Sequence, residues 1–372
     1  MKKIYVLGAG FVGSAIAIDL HKSGYSVEVL DMNEAALDRM REKGVEASVF
    51  NFTSPGFADR IADADLLMGA APGVLGYQIM EKVIRAGKNM VDISFCPEDF
   101  MELNGLAEEQ GVTIVADMGV APGMCNALLG FHEQGMKVES YRCLVGGLPF
   151  EREWPLEYKS SWSPMDCIDE YVRPARFREG GKDVVRPALS DLETVVFEEC
   201  GKLEAWNSDG LRSLLSSYPG IPDMVEKTLR YPGTVKYLEV LRDLGYFSTE
   251  AVEVEGSMVR PLDLTAALLF PRFRLEEGEG EFTIMRVEIK GQEEGKQAEY
   301  VYDLYDEYHR ESDTLSMART TGYTATGAAR LLLEGLLTRK GMIPPEKVAL
   351  ENDSMRFLME HFRQRGVDYR LK

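Results

Sequence analysis

The sequence lacks the features that mark several protein classes. Its five cysteines, Cys96, Cys125, Cys143, Cys167 and Cys200, are scattered, odd in number and free of any CxxC pair. That pattern excludes a disulfide framework and a Cys/His zinc site, so no metal is expected. Free thiols in a reducing, cytoplasmic setting fit it. No apolar run reaches the length that spans a bilayer. Met1–Leu7 opens like a signal peptide, but Gly8, Gly10 and Gly13 break the apolar run without a small-residue cleavage pattern, and a strand is expected there. Positive charge is scarce: 42 Lys and Arg face 61 Asp and Glu, for a net charge of -19. Nucleic acid and anionic membranes are therefore not expected as partners. No histidine stands beside a matching acid, so no histidine–carboxylate dyad is visible. There is no internal repeat and no low-complexity linker.

What remains is a chain of 372 residues, 45% of them hydrophobic, with material for two domains, since single cores stop growing near roughly 250–300 residues. Over residues 1–117 short apolar runs alternate with helical patterns. Strands are expected at Ile4–Leu7, Ser26–Leu30, Ala47–Phe50, Leu66–Gly69, Met90–Ile93 and Val112–Ala116, with helices between them. This is the pattern of an α/β fold: a doubly wound, parallel Rossmann sheet. After Pro122-Gly123 the strands lengthen and alternate, as in Val138–Val145, Glu193–Glu199, Glu281–Lys290 and Glu299–Asp306. The last two flank a polar turn at Gly291–Lys296 and predict an antiparallel hairpin. Helices are expected at Asp209–Ser217, Thr234–Leu244, Leu262–Phe270, 318–338 and Ser354–Gln364. The reading is a Rossmann domain over 1–123, completed by 318–372. A second α+β domain with a mainly antiparallel sheet covers 124–317 and serves substrate binding and oligomerisation.

Gly8-Ala9-Gly10-Phe11-Val12-Gly13 forms a GxGxxG that follows a strand and opens a helix. Gly8 permits the tight turn, Gly10 lets backbone N–H groups approach a pyrophosphate, and Gly13 lets helix and strand pack closely. The helix N-terminus adds partial positive charge. Asp31 ends the second strand 18 residues after Gly13, where a carboxylate accepts ribose hydroxyls and repels a 2′-phosphate. Met32-Asn33-Glu34 offers no Arg or Lys clamp, so NAD is expected over NADP. Ala70-Ala71-Pro72-Gly73 and Ser94-Phe95 end later strands and should complete the cofactor cleft.

The segment Asp117-Met118-Gly119-Val120-Ala121-Pro122-Gly123-Met124-Cys125-Asn126 resembles the hallmark of the saccharopine dehydrogenase family. Val145-Gly146-Gly147-Leu148-Pro149, Pro155-Leu156-Glu157-Tyr158, Lys227-Thr228-Leu229-Arg230-Tyr231-Pro232-Gly233 and Met317-Ala318-Arg319-Thr320-Thr321-Gly322-Tyr323 extend the likeness over most of the chain. Within that family the sequence looks most like the lysine 6-dehydrogenase branch. The resemblance implies NAD-dependent deamination of the lysine ε-amine to 2-aminoadipate 6-semialdehyde, and a homo-oligomer joined through the second domain. It implies that Val120 serves the cofactor and that Gly146, Gly147, Leu148, Asn207 and Thr228 serve the substrate. Three departures stand out. Saccharopine-handling members usually carry an acidic residue at Ala121 and an Arg at Ser208. Many members have an acidic residue near the adenine where this chain has Asn51 and Phe52.

Amine oxidation needs a neutral amine, a hydride acceptor, an activated water and anchors for a zwitterion. Arg230 suits the carboxylate, because guanidinium binds it bidentately. Tyr158 and Tyr231 are candidates to orient the amine or relay a proton. Asp117 ends the sixth strand, a place for function or for capping a turn. Asp209 is a candidate for the α-ammonium or for capping its own helix, with capping favoured. Lys159 would serve as a base if burial lowered its pKa. His309, alone in its strand, is expected to be structural, and the base is unassigned. Two other functions stay open: a saccharopine- or carboxyspermidine-type dehydrogenase working on secondary amines, and an NAD-sensing module without turnover.

Overall fold

The structure is a computed structural model of the chain, which describes all residues except 161–163, 277 and 352. The chain divides into two compact units, Met1–Gly135 with Met317–Asp368, and Met136–Ser316 with Tyr369–Lys372.

The first unit opens as alternating strands and helices: β1 (Lys3–Leu7), α1 (Phe11–Lys22), β2 (Ser26–Asp31), α2 (Glu34–Glu42), β3 (Glu46–Val49), α3 (Phe57–Arg60), β4 (Leu66–Gly69), α4 (Gly73–Arg85), β5 (Met90–Asp92), α5 (Asn104–Glu109), β6 (Thr113–Val115) and α6 (Met124–Glu133). Strands β1 and β4 are buried along nearly their whole length, which a sheet covered on both faces requires. Asn33 caps α2, its Oδ1 accepting from Ala36 N at 3.3 Å.

The second unit follows as β7 (Lys137–Pro149), α7 (Pro164–Val172), β8 (Ala175–Glu179), β9 (Lys182–Arg186), β10 (Glu193–Phe197), β11 (Gly201–Asn207), α8 (Leu214–Ser217), β12 (Asp223–Arg230), α9 (Thr234–Asp243), β13 (Val252–Val254), β14 (Ser257–Val259), α10 (Pro261–Phe273), β15 (Glu281–Glu293) and β16 (Lys296–Glu307). The chain then continues through α11 (Ser316–Leu333), β17 (Gly341–Ile343), α12 (Pro345–Val348) and α13 (Ser354–Arg363), and ends with β18 (Tyr369–Leu371).

Among the described residues the first unit's sheet has seven strands in the order β17-β6-β5-β4-β1-β2-β3, all parallel. The chain leaves β1 in one direction for β2 and β3, then returns to β4 on the other side. That reversal makes the crevice beyond the C-terminal ends of β1 and β4 a topological switch point. The second sheet runs β10-β11-β12-β7-β15-β16-β18, with β8 joined to β12 and β9 to β8. Its pairs are antiparallel except β12 with β7. The fold is therefore α/β: a doubly wound parallel sheet with a second, mainly antiparallel α+β unit.

Four expectations need correction. The first boundary falls after Gly135, not after residue 123, because α6 packs on α12: a Cβ on Gly130 would overlap the Glu346 carbonyl oxygen. Residues 369–372 belong to the second unit, because β18 pairs with β16. The hairpin turn is Glu294-Gly295 alone, both at positive φ as a two-residue turn demands. Gly291 lies within β15 at a register shift. Finally, the helix expected at Asp209–Ser217 shrinks to α8, because Arg212 has φ +50° and left-handed backbone breaks the helix.

One buried carboxyl shapes the first sheet. Asp92, at the end of β5, accepts at Oδ1 from Ser94 N (2.9 Å) and Ser94 Oγ (2.5 Å). Burial pushes it up to about 7, against those hydrogen bonds and with help from the Asp117 charge. The folded state thus holds this proton to higher pH than the unfolded chain, whose value lies near roughly 3.9. Stability is fully present below about pH 4 and drains away as pH rises toward 7. The Asp92→Asn variant should escape this loss. Its melting temperature relative to the native protein should rise between pH 4 and pH 8, whereas a pH-independent gap would contradict the assignment.

Gly130→Ala should destabilise by about 1–3 kcal/mol through overpacking. Gly105, in α5, would meet nothing within 4 Å. Gly105→Ala should leave the melting temperature equal or slightly raised, and equal losses in both variants would contradict the packing of α6 on α12.

Candidate functional site

The first unit's site is built at the switch point. Gly8 has φ +120°, and a Cβ on it would overlap the carbonyl oxygen of Ala70, because β4 is β1's neighbour. A Cβ on Gly13 would overlap the carbonyl oxygen of Gly8. These two glycines are therefore demanded by the protein's own backbone. Gly10 is different. Its φ is −68°, an ordinary value, and a Cβ there would meet nothing within 4 Å. Gly10 caps α1, and no side chain bonds to the first turn. The start of α1 is thus an uncapped helix terminus with open space beside it, which suits the phosphates of a dinucleotide.

Asp31 stands at the end of β2. Its Oδ2 accepts from Ala9 N at 2.6 Å and its Oδ1 from Asn33 N at 2.8 Å. The carboxylate is held against the glycine turn with acceptor capacity left over. Phe11 and Met32 are large apolar side chains left exposed beside these groups, and Val12 is half-buried. Asn51 is turned to its own loop, its Oδ1 accepting from Thr53 N and Oγ1. Pro72 caps α4 and is exposed, with Ala71 buried behind it. Ser94 is tied to Asp92 and lies against Gly76. Val120 is buried in a tight bridge with Gly123. Asp117, also buried, has φ +55° and follows β6 by two residues.

The second unit sorts its candidates onto two faces of its sheet. Tyr158, Thr228 and Arg230 share one face. The Arg230 guanidinium lies 4.0 Å from the Tyr158 ring centroid. It donates to Leu229 O at 2.9 Å and to Glu170 at 3.3 Å. Arg230 is thus a buried cation, not a surface one. Tyr158 packs with Cys167, whose Sγ lies 3.5 Å from the Tyr158 hydroxyl, and burial pushes this phenol far up. Leu148 and Tyr231 belong to the apolar cluster on the other face, with Leu144, Leu203 and Leu229. The Tyr231 hydroxyl donates to Pro149 O at 2.9 Å, and burial pushes it up to about 12. Asn207 donates to Asp191 at 2.7 Å. Gly146 is fitted under Leu229, where a Cβ would lie 2.8 Å from the Leu229 Cβ, and Gly147 pairs with Thr283 of β15.

Two side-chain readings change. Asp209 caps no helix, since α8 starts at Leu214; it forms a two-pronged ion pair with Arg176, at 2.8 and 2.9 Å. Lys159 is buried, and desolvation alone would lower its pKa, but hydrogen bonds with Glu279 and Glu153 outweigh that and raise it. That disfavours it as a base at neutral pH. His309 forms an isolated antiparallel bridge with Thr314, and its Nδ1 lies 2.8 Å from Ser312 Oγ. Among the described residues no group of three His, Cys, Asp or Glu side chains is placed for a metal ion, and no helix is long and apolar enough to cross a membrane.

Sequence reasoning missed the acids of the second unit. Glu170 lies on α7 three residues after Cys167, and helical spacing brings both to Arg230. Glu226 lies on β12 in phase with Thr228 and Arg230, and strand alternation was the available signal. Ser208 Oγ donates to Glu226 Oε2 at 2.6 Å and lies 2.7 Å from Thr228 Oγ1.

Comparison with known proteins agrees with this geometry. Residues 4–115 match the saccharopine dehydrogenase NADP binding domain, and residues 116–367 match the saccharopine dehydrogenase C-terminal domain. The chain is 24% identical over 418 residues to the mitochondrial alpha-aminoadipic semialdehyde synthase of Mus musculus, covering 92% of this chain and 45% of that protein. It is 27% identical to the saccharopine dehydrogenase (NADP(+), L-glutamate-forming) of Pyricularia oryzae, over 67% of this chain and 59% of that one. Against the carboxyaminopropylagmatine dehydrogenase of Synechocystis it is 21% identical, over 94% and 93%. The chain spans about half the length of the synthases it matches. The structure of apo saccharopine dehydrogenase (L-Glu forming) from Saccharomyces cerevisiae superposes with a TM-score of 0.79 at 19% identity, covering 100% of this chain and 99% of that one. The shared fold, the glycine turn at the switch point and the two domain matches lead to one conclusion: the chain belongs to the saccharopine dehydrogenase family.

Proposed function

We propose that the chain is an NAD-dependent dehydrogenase that oxidises a carbon–nitrogen bond of an amino acid, with the ε-amine of L-lysine as its substrate. The observation that carries the cofactor half is Gly10. The folded backbone has no need of glycine there, so the small residue serves whatever approaches the turn. Asp31 supports NAD over NADP, because its carboxylate, already held beside the turn, would repel a 2′-phosphate. Exposed Phe11 and Met32 are apolar surface that a bound adenosine would cover. Gly8, Gly10, Val12, Gly13, Asp31, Ala70, Ala71, Pro72, Ser94 and Val120 would hold the dinucleotide, with Asn51 near the adenine end.

A bound nicotinamide supplies the hydride acceptor. The chain's own groups bind and orient the amino acid: Arg230 holds a carboxylate, with Tyr158 stacked on the guanidinium and keeping water from it. Thr228 presents a hydroxyl on the same face. Loss of hydride from the amine-bearing carbon leaves an iminium, which water converts to an aldehyde and ammonia. Asp117, beyond β6, completes the proposed residues; Tyr231 is left out of them, because it lies on the opposite face of the sheet with its hydroxyl donating to Pro149 O. Ser208 supports a primary amine of modest size. In the saccharopine-handling pattern an Arg stands at this position, and here a small hydroxyl is buried against Glu226. The second reading, a secondary-amine dehydrogenase, is favoured by the names of the Pyricularia and Synechocystis relatives. A homo-oligomer is part of this proposal; Leu244, Met258 and Leu268 of the second unit are exposed apolar side chains that an assembly would cover. Five cysteines, none of them in a disulfide, support a reducing, cytoplasmic setting.

With NAD and a panel of amines at alkaline pH, NADH should form with L-lysine and ammonia should be released in equal amount. NADH formation with saccharopine but not lysine would transfer the chain to the second reading. Tight NADH binding without any product would make it a sensing module. Gly10→Ala should keep the native melting temperature while weakening NADH binding at least tenfold. Unchanged binding would contradict the placement of the pyrophosphate.

A further inference from the structure

One face of the second sheet carries buried charge that the fold itself leaves partly unmet. On β12 the side chains of Glu226, Thr228 and Arg230 share this face, since residues two apart in a strand point the same way. Trp206 pairs with Thr228 from β11, and Ser208 follows on the same side. Arg230 is 2% exposed and Trp206 0%, yet Arg230 Nε and Trp206 Nε1 have no hydrogen-bond partner. Glu226 is 4% exposed. Both of its hydrogen bonds end on Oε2, from Ser208 Oγ at 2.6 Å and Gly210 N at 3.1 Å. Among the described residues Oε1 has none. Gly210 is fitted to this carboxyl, since a Cβ there would overlap Glu226 Cδ.

The charged groups that face Glu226 are Glu170 of α7 and Asp209 of the loop after β11, both negative; Cys143 of β7 is its strand neighbour. Asp209 is already matched by Arg176 and Glu170 by Arg230. Burial, with those two charges, pushes the Glu226 carboxyl up to about 8. A buried carboxylate without a cation is costly, and a cation brought by a ligand removes the cost. Glutamine in its place, with its amide oxygen where Oε2 stands, would meet Ser208 and Gly210 equally well, so the acid is not needed for those bonds.

We propose that Glu226 Oε1 receives the substrate's terminal ammonium group and takes one proton from it, which leaves the neutral amine that hydride loss needs, and that this face selects amino acids whose amine lies remote from the carboxylate held by Arg230. Glu226 and Arg230 are four residues apart, roughly 13 Å between Cα atoms along a strand. An α-ammonium sits beside its own carboxylate and does not bridge them. A terminal amine on a six-carbon chain does, with the two side chains closing the remaining distance. The inference rests on the amino-acid reading above and names the charge pattern of the substrate.

Calorimetric titration of L-lysine and L-norleucine into the NADH-loaded protein tests it. The two ligands differ by the terminal amine alone. The native protein should bind lysine at least tenfold more tightly than norleucine. Glu226→Gln should abolish that preference and leave norleucine and NADH binding unchanged. Equal binding of the two ligands by the native protein would overturn the proposal, and that comparison needs no variant. A preference kept in Glu226→Gln would overturn it too. Lysine preference without NADH formation would sink the dehydrogenase reading and leave the ammonium site standing. NADH formation with the preference unchanged in Glu226→Gln would do the reverse.

Discussion

The close approach of α1 to the turn after β1 is the constraint on which the first unit depends. Gly13 lies where a Cβ would overlap the carbonyl oxygen of Gly8, and Gly8 lies where a Cβ would overlap that of Ala70. Three backbone segments therefore meet without side chains between them. Their meeting point is also where the strand order reverses, so the same packing that closes the sheet leaves the start of α1 open beyond it. Asp31 then ties β2 to the turn through Ala9 N. A carboxylate that braces the loop in this way is fixed in position before any ribose arrives, and its orientation is not lost when the loop is free.

The second unit divides its labour between the two faces of one sheet. One face is apolar, where Leu144, Leu148, Leu203, Leu229 and Phe282 form a continuous cluster. The other carries Arg230, Thr228, Ser208 and Glu226 beneath the aromatic rings of Tyr158 and Tyr171. Burying this many polar groups costs stability, and most of that cost is met internally by hydrogen bonds and ion pairs. On this face Arg230 Nε and Trp206 Nε1 are among the buried atoms left without a partner. On the proposed reading, such a face would suit a charged, flexible amino acid, because desolvated partners discriminate more strongly than exposed ones.

Much of the fold was legible in the sequence where the local signals were strong. The strands β1, β2 and β4, the glycine turn and the α1 and α13 helices follow from apolar periodicity and from residues with one physical use. Short elements escaped it. The strand Gly341–Ile343 is three residues long and acquires its role only by pairing with β6; the last strand, Tyr369–Leu371, exists only as a partner of β16. The site was legible in residue type and less so in environment. Arg230 and Lys159 could be named, but burial, Tyr158 and Glu279 decide their behaviour, and these partners are 72 and 120 residues away in sequence. Asp209 reads as a helix cap because the left-handed backbone at Arg212 leaves no mark in the sequence.

On the proposed reading the glycine turn and Asp31 together hold a dinucleotide without a 2′-phosphate. Parallel fluorescence titrations of the protein with NADH and with NADPH test it most directly. Saturable binding of NADH and at least tenfold weaker binding of NADPH are expected, with the gap narrowing in Asp31→Ser. Tighter binding of NADPH by the native protein would contradict it, since no arrangement of that carboxylate beside the turn welcomes a second negative charge.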